Sequence, residues 1–299
     1  MRLSARHIFS VLLLASGLCA CNKSTQENIQ GVVISAVFSD SDDSSTAVSD
    51  LELWFYKAGS GEAVLHHSFG TSTELSDKLI AVPKGKYTVV LGANLSSPLS
   101  IDGEGSPDSL NYSLEGTAKK MSFNSCGDYS IEDPSRITEV VVEMKRFLCE
   151  LAVEMDGAPD GLELSIEAVN GAEAFYPALK GDDGSCGLPS ASPKQCSIPT
   201  FSLSSAATRS QTFILMPTAR GREWSFWRIV MKTPEGKILE SYIEAPRMNP
   251  GGKYLISLEY TEIQSFMHLS PCSIEDWTQG WVYNGVITDP TTTNTTINE

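Results

Sequence analysis

The chain has 299 residues, 41% of them hydrophobic, and carries 22 lysines and arginines against 37 aspartates and glutamates, a net charge of −15. So acidic a surface repels nucleic acid and anionic headgroups, which argues against a polyanion as partner. The length accommodates two domains of ordinary size, and no stretch has the roughly 20 consecutive apolar residues that a membrane-crossing helix needs.

The first element is an address. The 11 residues Ile8 to Leu18 are mostly apolar, with Arg2 and Arg6 before them and Asn22, Lys23 and Ser24 after them, the pattern of a secretory signal. Leu18, Cys19, Ala20 and Cys21 follow. Signal peptidase II requires a branched apolar residue three places before a lipid-accepting cysteine and a small residue directly before it. That register predicts cleavage between Ala20 and Cys21, residues 1–20 as the signal peptide, and Cys21 as the lipidated start of the mature chain. Cys19 fits poorly, because Leu18 would then stand in the small-residue position. The alternative is an ordinary secretory signal in which both cysteines are incidental. On the lipoprotein reading the mature chain has 20 basic and 37 acidic residues, a net charge of −17. At about 0.8 kcal/mol per buried methylene, two or more acyl chains such as palmitate hold it at a membrane it does not span. Residues 21–30 form the lipidated linker.

Beyond the linker, "SDSDDSSTAVSD" (39–50) invites a calcium reading. A loop starting at Asp40 puts Ser45 where the sharp turn needs glycine and Leu51 where the bidentate glutamate belongs, so it fails. Alternating strands then succeed one another. Leu51, Leu53 and Phe55 share a face, as do Tyr87, Val89, Leu91 and Ala93; "SSPLSIDGEGSPDSLNYSL" (96–114), in which no strand is predicted, could hide a short turn. Further strands are predicted at 140–144, 151–155, 162–168, 213–216, 226–233, 237–244 and 254–260, with "TPEGK" (233–237) as a hairpin turn. Adjacent His66 and His67 lie in a strand, point to opposite faces and cannot act as a pair. No long segment has helical periodicity, so the chain is predicted to be all-β and built of sandwiches. "VPKGKYTVVL" (82–91) and "NPGGKYLISL" (249–258) echo each other, which predicts two domains, 31–146 and 147–288, joined by a short link. "WVYNGVIT" (281–288) reads as a last strand, to be paired at home or donated, and 289–299 as a disordered tail.

Chemistry is hard to find along this chain. GxSxG, a Walker loop and HExxH are all missing, and "DGSCG" has Asp183 where a nucleophile elbow requires its first glycine. Behind the lipobox stand Cys126, Cys149, Cys186, Cys196 and Cys272, an odd number. Cys186 and Cys196 flank the Gly, Pro and Ser loop "CGLPSASPKQC" and are the disulfide candidates, a closure that could add about 3 kcal/mol. Zinc would need closely spaced pairs of ligands, and the only histidines left are His66, His67 and His268. No enzyme, metal or cofactor is therefore expected. "EWSFW" (223–227) sets Trp224 and Phe226 on one strand face and Trp227 on the other; Trp224 and Trp227 are candidates for stacking on a glycan, against core packing as the plainer role.

In order, "DLELWFYK", "VPKGKYTVVLGANL", "EMKRFLCELAVEM", "PGGKYLISLEY" and "SIEDW" make residues 30–282 resemble the fimbrillin superfamily of Bacteroidales, most of all its lipoproteins that anchor fimbriae. The resemblance implies two tandem transthyretin-like β-sandwich domains and joining of subunits by a donated strand that completes a neighbour's groove. It implies as partners a membrane, through the N-terminal lipid, and fimbrillins or other fimbrial subunits, at the outer membrane and cell surface. In that superfamily stalk subunits lose their lipid and first strand to an arginine-specific protease. This chain has no arginine between Cys21 and Arg136, which favours a tether that stays. A glycan-binding outer-membrane lipoprotein of an uptake system and a fimbrial stalk or tip adhesin are the alternatives.

Overall fold

The computed structural model describes residues 31–38, 48–132, 137–156, 160–203, 210–263 and 266–276, with side chains described as far as residue 258. Ala20 and Cys21, the Asp40–Asp43 loop, 281–288 and 289–299 lie outside the described residues. The first elements are β1 (Gly31–Phe38), β2 (Leu51–Lys57), β3 (Ala63–Phe69), α1 (Ser72–Asp77), β4 (Gly85–Ala93), β5 (Leu99–Asp102), β6 (Asn111–Leu114), β7 (Phe123–Ile131) and β8 (Ile137–Arg146). Next come β9 (Cys149–Asp156), β10 (Leu162–Ala172), β11 (Ala174–Lys180), β12 (Cys186–Pro189), β13 (Pro193–Ser197) and β14 (Phe201–Leu203). β15 (Ser210–Leu215), β16 (Trp224–Lys232), β17 (Ile238–Pro246), β18 (Lys253–Ile263) and β19 (Phe266–Asp276) complete the described chain. The fold is all-β, as its alternation predicts.

Among the described residues four sheets result: β1-β8-β7-β4-β2-β3, β12-β11-β6-β5, β13-β10-β16-β17 with β14 also on β10, and β15-β9-β18-β19. They enclose two apolar cores. The first is made by residues from Val32 to Leu148, with Ala172, Phe175, Ala178, Met216 and Ala219 contributed from later in the chain. The second begins one residue on, at Cys149, and extends to Leu258. Below, residues up to 148 are called the first half and those beyond it the second. The sheet β12-β11-β6-β5 takes two strands from each, through the pairs Ala174↔Ser113 and Phe175↔Tyr112.

β2 departs from simple alternation. Leu51, Leu53 and Phe55 are buried, and so are Trp54 and Tyr56 on the opposite face. The β5–β6 turn covers that face: Trp54 Nε1 donates to the Glu104 carboxylate at 2.9 Å and the Tyr56 hydroxyl to the Glu104 carbonyl at 3.1 Å. That turn belongs to a hairpin, β5–β6, in 96–114, where the sequence reading predicts no strand. Gly103 permits it, since its φ is +70° and a Cβ there would stand 2.0 Å from the Ser109 carbonyl oxygen.

The short α1 also goes beyond the sequence reading. Thr71 Oγ1 accepts from Glu74 N–H at 3.1 Å and Glu74 Oε2 accepts from Gly70 N–H at 2.8 Å, a capping box displaced by one residue at its return bond. Leu75 is its single buried residue.

The sequence echo has a geometric counterpart. In both turns a tyrosine two residues beyond a glycine folds back over it: a Cβ on Gly85 would meet the Tyr87 hydroxyl at 3.1 Å, and one on Gly252 would meet that of Tyr254 at 2.5 Å. The hydroxyls then bond the preceding turn, Tyr87 to the Pro83 carbonyl at 2.8 Å and Tyr254 accepting from Asn249 N–H at 2.7 Å. Each tyrosine covers backbone that glycine leaves bare and fixes where the following strand enters its sheet.

Candidate interaction surfaces

The first surface is the edge formed by β1. It pairs in parallel with β8 from Gly31↔Ile137 to Phe38↔Met144 and is the outermost strand of its sheet. On its other side, among the described residues only Val32 is bridged, exchanging backbone hydrogen bonds of 2.8 and 2.9 Å with Ile80. Its inward residues Val32 and Ile34 are fully buried, and Phe38 meets Phe123 edge to face at 5.0 Å. On the outward face, Val37, Ile137 and Val141 remain exposed. An edge strand with an apolar outer strip is a template for a further strand, because its unpaired N–H and C=O groups are already aligned.

The second surface is the outer face of β13-β10-β16-β17. Trp224 and Phe226 are 40% and 42% exposed there, and Tyr242, across from Arg228, is 66% exposed. Where β10 bulges, the Asn170 side chain continues the ladder, accepting from Phe226 N–H at 2.9 Å and donating to the Trp224 carbonyl at 2.8 Å. Beside the aromatics, Arg228 bridges Glu240 at 2.6 Å and Glu167 at 3.4 Å. These hydrogen bonds raise the guanidinium further. Burial pulls the Glu167 carboxyl up, yet hydrogen bonds from Gln195, Ser197 and Arg228 outweigh it and hold the group below its usual range.

Trp227 corrects the glycan expectation. It is 1% exposed and packs in the second core, because alternation along β16 that turns Trp224 outward turns Trp227 inward. Only one of the two tryptophans can therefore present a face to a sugar. The disulfide expectation is corrected as well. Cys186 and Cys196 are both free and stand on β12 and β13, which belong to different sheets. Cys196 Sγ instead donates to the Gly116 carbonyl at 3.1 Å. Loop length favours closure by entropy, but the chain between them spends its residues crossing from one sheet to the other.

A third feature is a cavity of about 630 Å³ at the seam of the two halves, lined among others by Cys126, Asp128, Lys145, Phe175, Lys180 and Cys186. Lys180 Nζ pairs with Asp128 Oδ2 at 2.6 Å. Hydrogen bonds from Lys180 first and Thr88 second hold the Asp128 carboxyl below its ordinary value. Burial pushes the Cys126 thiol well up. His66 and His67, the neighbours of the strand reading, do separate: His66 stacks on Trp54 at 4.9 Å and bonds Glu52 at 2.7 Å, while His67 meets Phe69 edge to face. Among the described residues no cluster of histidine, cysteine and carboxylate side chains is arranged to hold a metal, and no helix is long and apolar enough to cross a membrane.

The comparisons follow this geometry. Residues 29–285 match the family model of the fimbrillin-A associated anchor proteins Mfa1 and Mfa2. No curated protein matches. Among solved structures, the fimbrial anchor protein Mfa2 from Porphyromonas gingivalis is 12% identical with a TM-score of 0.54, over 86% of this chain and 98% of that one. A Bacteroides thetaiotaomicron protein provisionally assigned to polysaccharide binding is 11% identical with a TM-score of 0.55, over 85% and 97%. A Bacteroides ovatus protein provisionally described as an adhesin is 10% identical with a TM-score of 0.53, over 84% and 94%. At these identities the likeness is one of fold.

Proposed function

Since the chain belongs to the family of fimbrillin-A associated anchor proteins, we propose that it is a lipoprotein held at the cell surface by Cys21, where it anchors fimbriae and joins a fimbrial subunit by strand addition. The observation that carries this reading is the arginine-free run from Cys21 to Arg136, taken together with β1. An arginine-specific protease has no site before or just after β1, so lipid, linker and first strand stay with the rest of the chain. Ten residues after Cys21 the chain enters the sheet at Gly31, and the tether's load passes into a parallel ladder whose side chains Val32 and Ile34 are locked in the first core. The partner's strand is offered either the outer edge of β1 or the 281–288 segment of this chain. Mass spectrometry of the protein recovered from its cells tests the tether: an acylated Cys21 at the N-terminus is expected, and a mature N-terminus beyond β1 overturns it. Affinity capture of the same lipidated protein from membranes is expected to bring a fimbrial subunit with it.

A second reading, a glycan-binding surface lipoprotein, draws support from the exposed Trp224, Phe226 and Tyr242 on one sheet face. Aromatic faces stack on sugar rings. On a glycan array, binding lost in Trp224→Ala and Tyr242→Ala would favour it; an array that stays blank for the wild type removes it.

A further inference from the structure

Three residues on one face of β7 all reach the β11–β12 segment across the seam between the halves. The Asn124 side chain donates to the Pro177 carbonyl at 3.2 Å, and Asp128 pairs with Lys180 at 2.6 Å. Alternate residues on a strand are about 6.6 Å apart along its axis, so these two contacts bracket Cys126 closely. On the opposing side, Lys180 is the register partner of Cys186, and a Cβ on Gly187 would stand 3.6 Å from Asn124 Nδ2. The middle rung of this ladder is Cys126 against Cys186, which both line the seam cavity between the flanking contacts.

We propose that Cys126 and Cys186 form a disulfide that ties β7 of the first half to β12 of the second. The other described cysteines are committed elsewhere, Cys149 to the Asn249 carbonyl at 3.0 Å in the second core and Cys196 to the Gly116 carbonyl. The oxidant is a disulfide: that of a thiol–disulfide oxidoreductase in the cell envelope, or oxidised glutathione in the tube. One cysteine of the pair, as its thiolate, attacks the oxidant's disulfide, forming a mixed disulfide and releasing one thiol of the oxidant. The other cysteine gives up its proton, attacks the protein sulfur of that mixed disulfide and expels the second thiol. Two electrons and two protons leave the cysteine pair, and the oxidant's disulfide becomes two thiols. For a chain loaded in tension, the bond closes a long loop across the joint between its two cores and removes conformations from the unfolded ensemble.

The test uses the purified full-length chain, so it stands apart from the fate of the surface-anchor reading. Trypsin separates the relevant cysteines: Cys126 falls in peptide 121–136, Cys149 in 147–180, Cys186 in 181–194, Cys196 in 195–209 and Cys272 in 254–299. After equilibration with oxidised glutathione and digestion without reductant, mass spectrometry should find 121–136 joined to 181–194, lighter by two hydrogen atoms than the separate thiol peptides. Cys186 joined to any other cysteine, or Cys126 and Cys186 each free or capped singly by glutathione, overturns the proposal. In the same preparation dithiothreitol should lower the melting temperature by about 5 °C, and Cys126→Ser or Cys186→Ser should melt at that lower temperature with no further response to reductant. A wild-type chain whose melting ignores reductant also overturns it.

Discussion

β1 and β9 are the first described strands of the two halves, and each runs parallel to a strand from late in its half, β1 to β8 and β9 to β18. β9 has β15 on its other side, paired from Ser210↔Glu154 to Leu215↔Cys149, so both of its backbone edges are satisfied. Among the described residues β1 has only the Val32–Ile80 bridge there. The two strands nevertheless bury comparable side chains, Val32 and Ile34 in one case and Leu151 and Val153 in the other. The difference teaches that β1 is held by its side chains and a single ladder, whereas β9 is held by its side chains and two. Among the described residues, the first half leaves its opening strand at a sheet edge, beside the proposed tether, and the second half sets its opening strand between two others.

The largest perturbations test whether the halves behave as one cooperative unit. Trp54→Ala in the first core and Trp227→Ala in the second should each cost about 3–5 kcal/mol. Because the β12-β11-β6-β5 sheet is shared, calorimetry should show one transition moving in both variants. Two separated transitions, with one unmoved, would break the comparison. Next in size is Ile34→Ala, expected to cost about 2–4 kcal/mol despite its edge position. Hydrogen exchange on the wild type should in turn show β1 amides opening faster than those of β9; equal protection would mean that the missing ladder has no consequence.

A smaller effect compares the two tyrosine-covered glycines. Gly252→Ala drives a methyl group to 2.5 Å from the Tyr254 hydroxyl and should cost about 1–3 kcal/mol, while Gly85→Ala, at 3.1 Å from that of Tyr87, should cost less than about 1 kcal/mol. Urea denaturation of both variants measures the order, and a reversed order would mean that the turns are not equivalent. The smallest effect concerns Glu167. Its carboxyl is held below the usual value of 4.5 in the folded chain, so its contribution is complete above about pH 4.5 and is lost as pH falls through the lower folded value. Glu167→Gln removes that contribution, and melting temperatures taken down the acid range should fall less than the wild type's, by about 1 °C. An unchanged acid profile would assign the acid sensitivity to other carboxylates.

Much of this architecture is legible in the residues. In the second half β9, β10 and β15 to β18 fall where alternation puts them, whereas β11 to β14 and β19 carry no such prediction; "TPEGK" turns β16 into β17 with Gly236 at a φ of +85°. The paired Gly-x-Tyr turns are visible as repeats because a bare glycine and its covering tyrosine are local partners. α1 was also within reach, since Thr71 followed three residues later by Glu74 is a helix-start signature. What stayed hidden involves distant partners. Trp54 and Tyr56 lie on the face opposite Leu51, Leu53 and Phe55, and what covers them, the β5–β6 turn, comes about 50 residues later. Trp224 and Trp227 could be assigned to opposite faces by alternation alone, but which face met the core depended on the strands packed behind β16.

The sequence by itself determined the all-β class, the acidic composition and the arginine-free run from Cys21 to Arg136, and it alone supports the proposed lipidation at Cys21, since each depends on residue type and local spacing. Only the tertiary structure decided that β1 lies at an edge, that Trp227 is core, and that Cys186 faces Cys126 rather than Cys196. These are matters of which sheets meet. That is settled by burying apolar faces from residues far apart in the chain, and no local pattern encodes it.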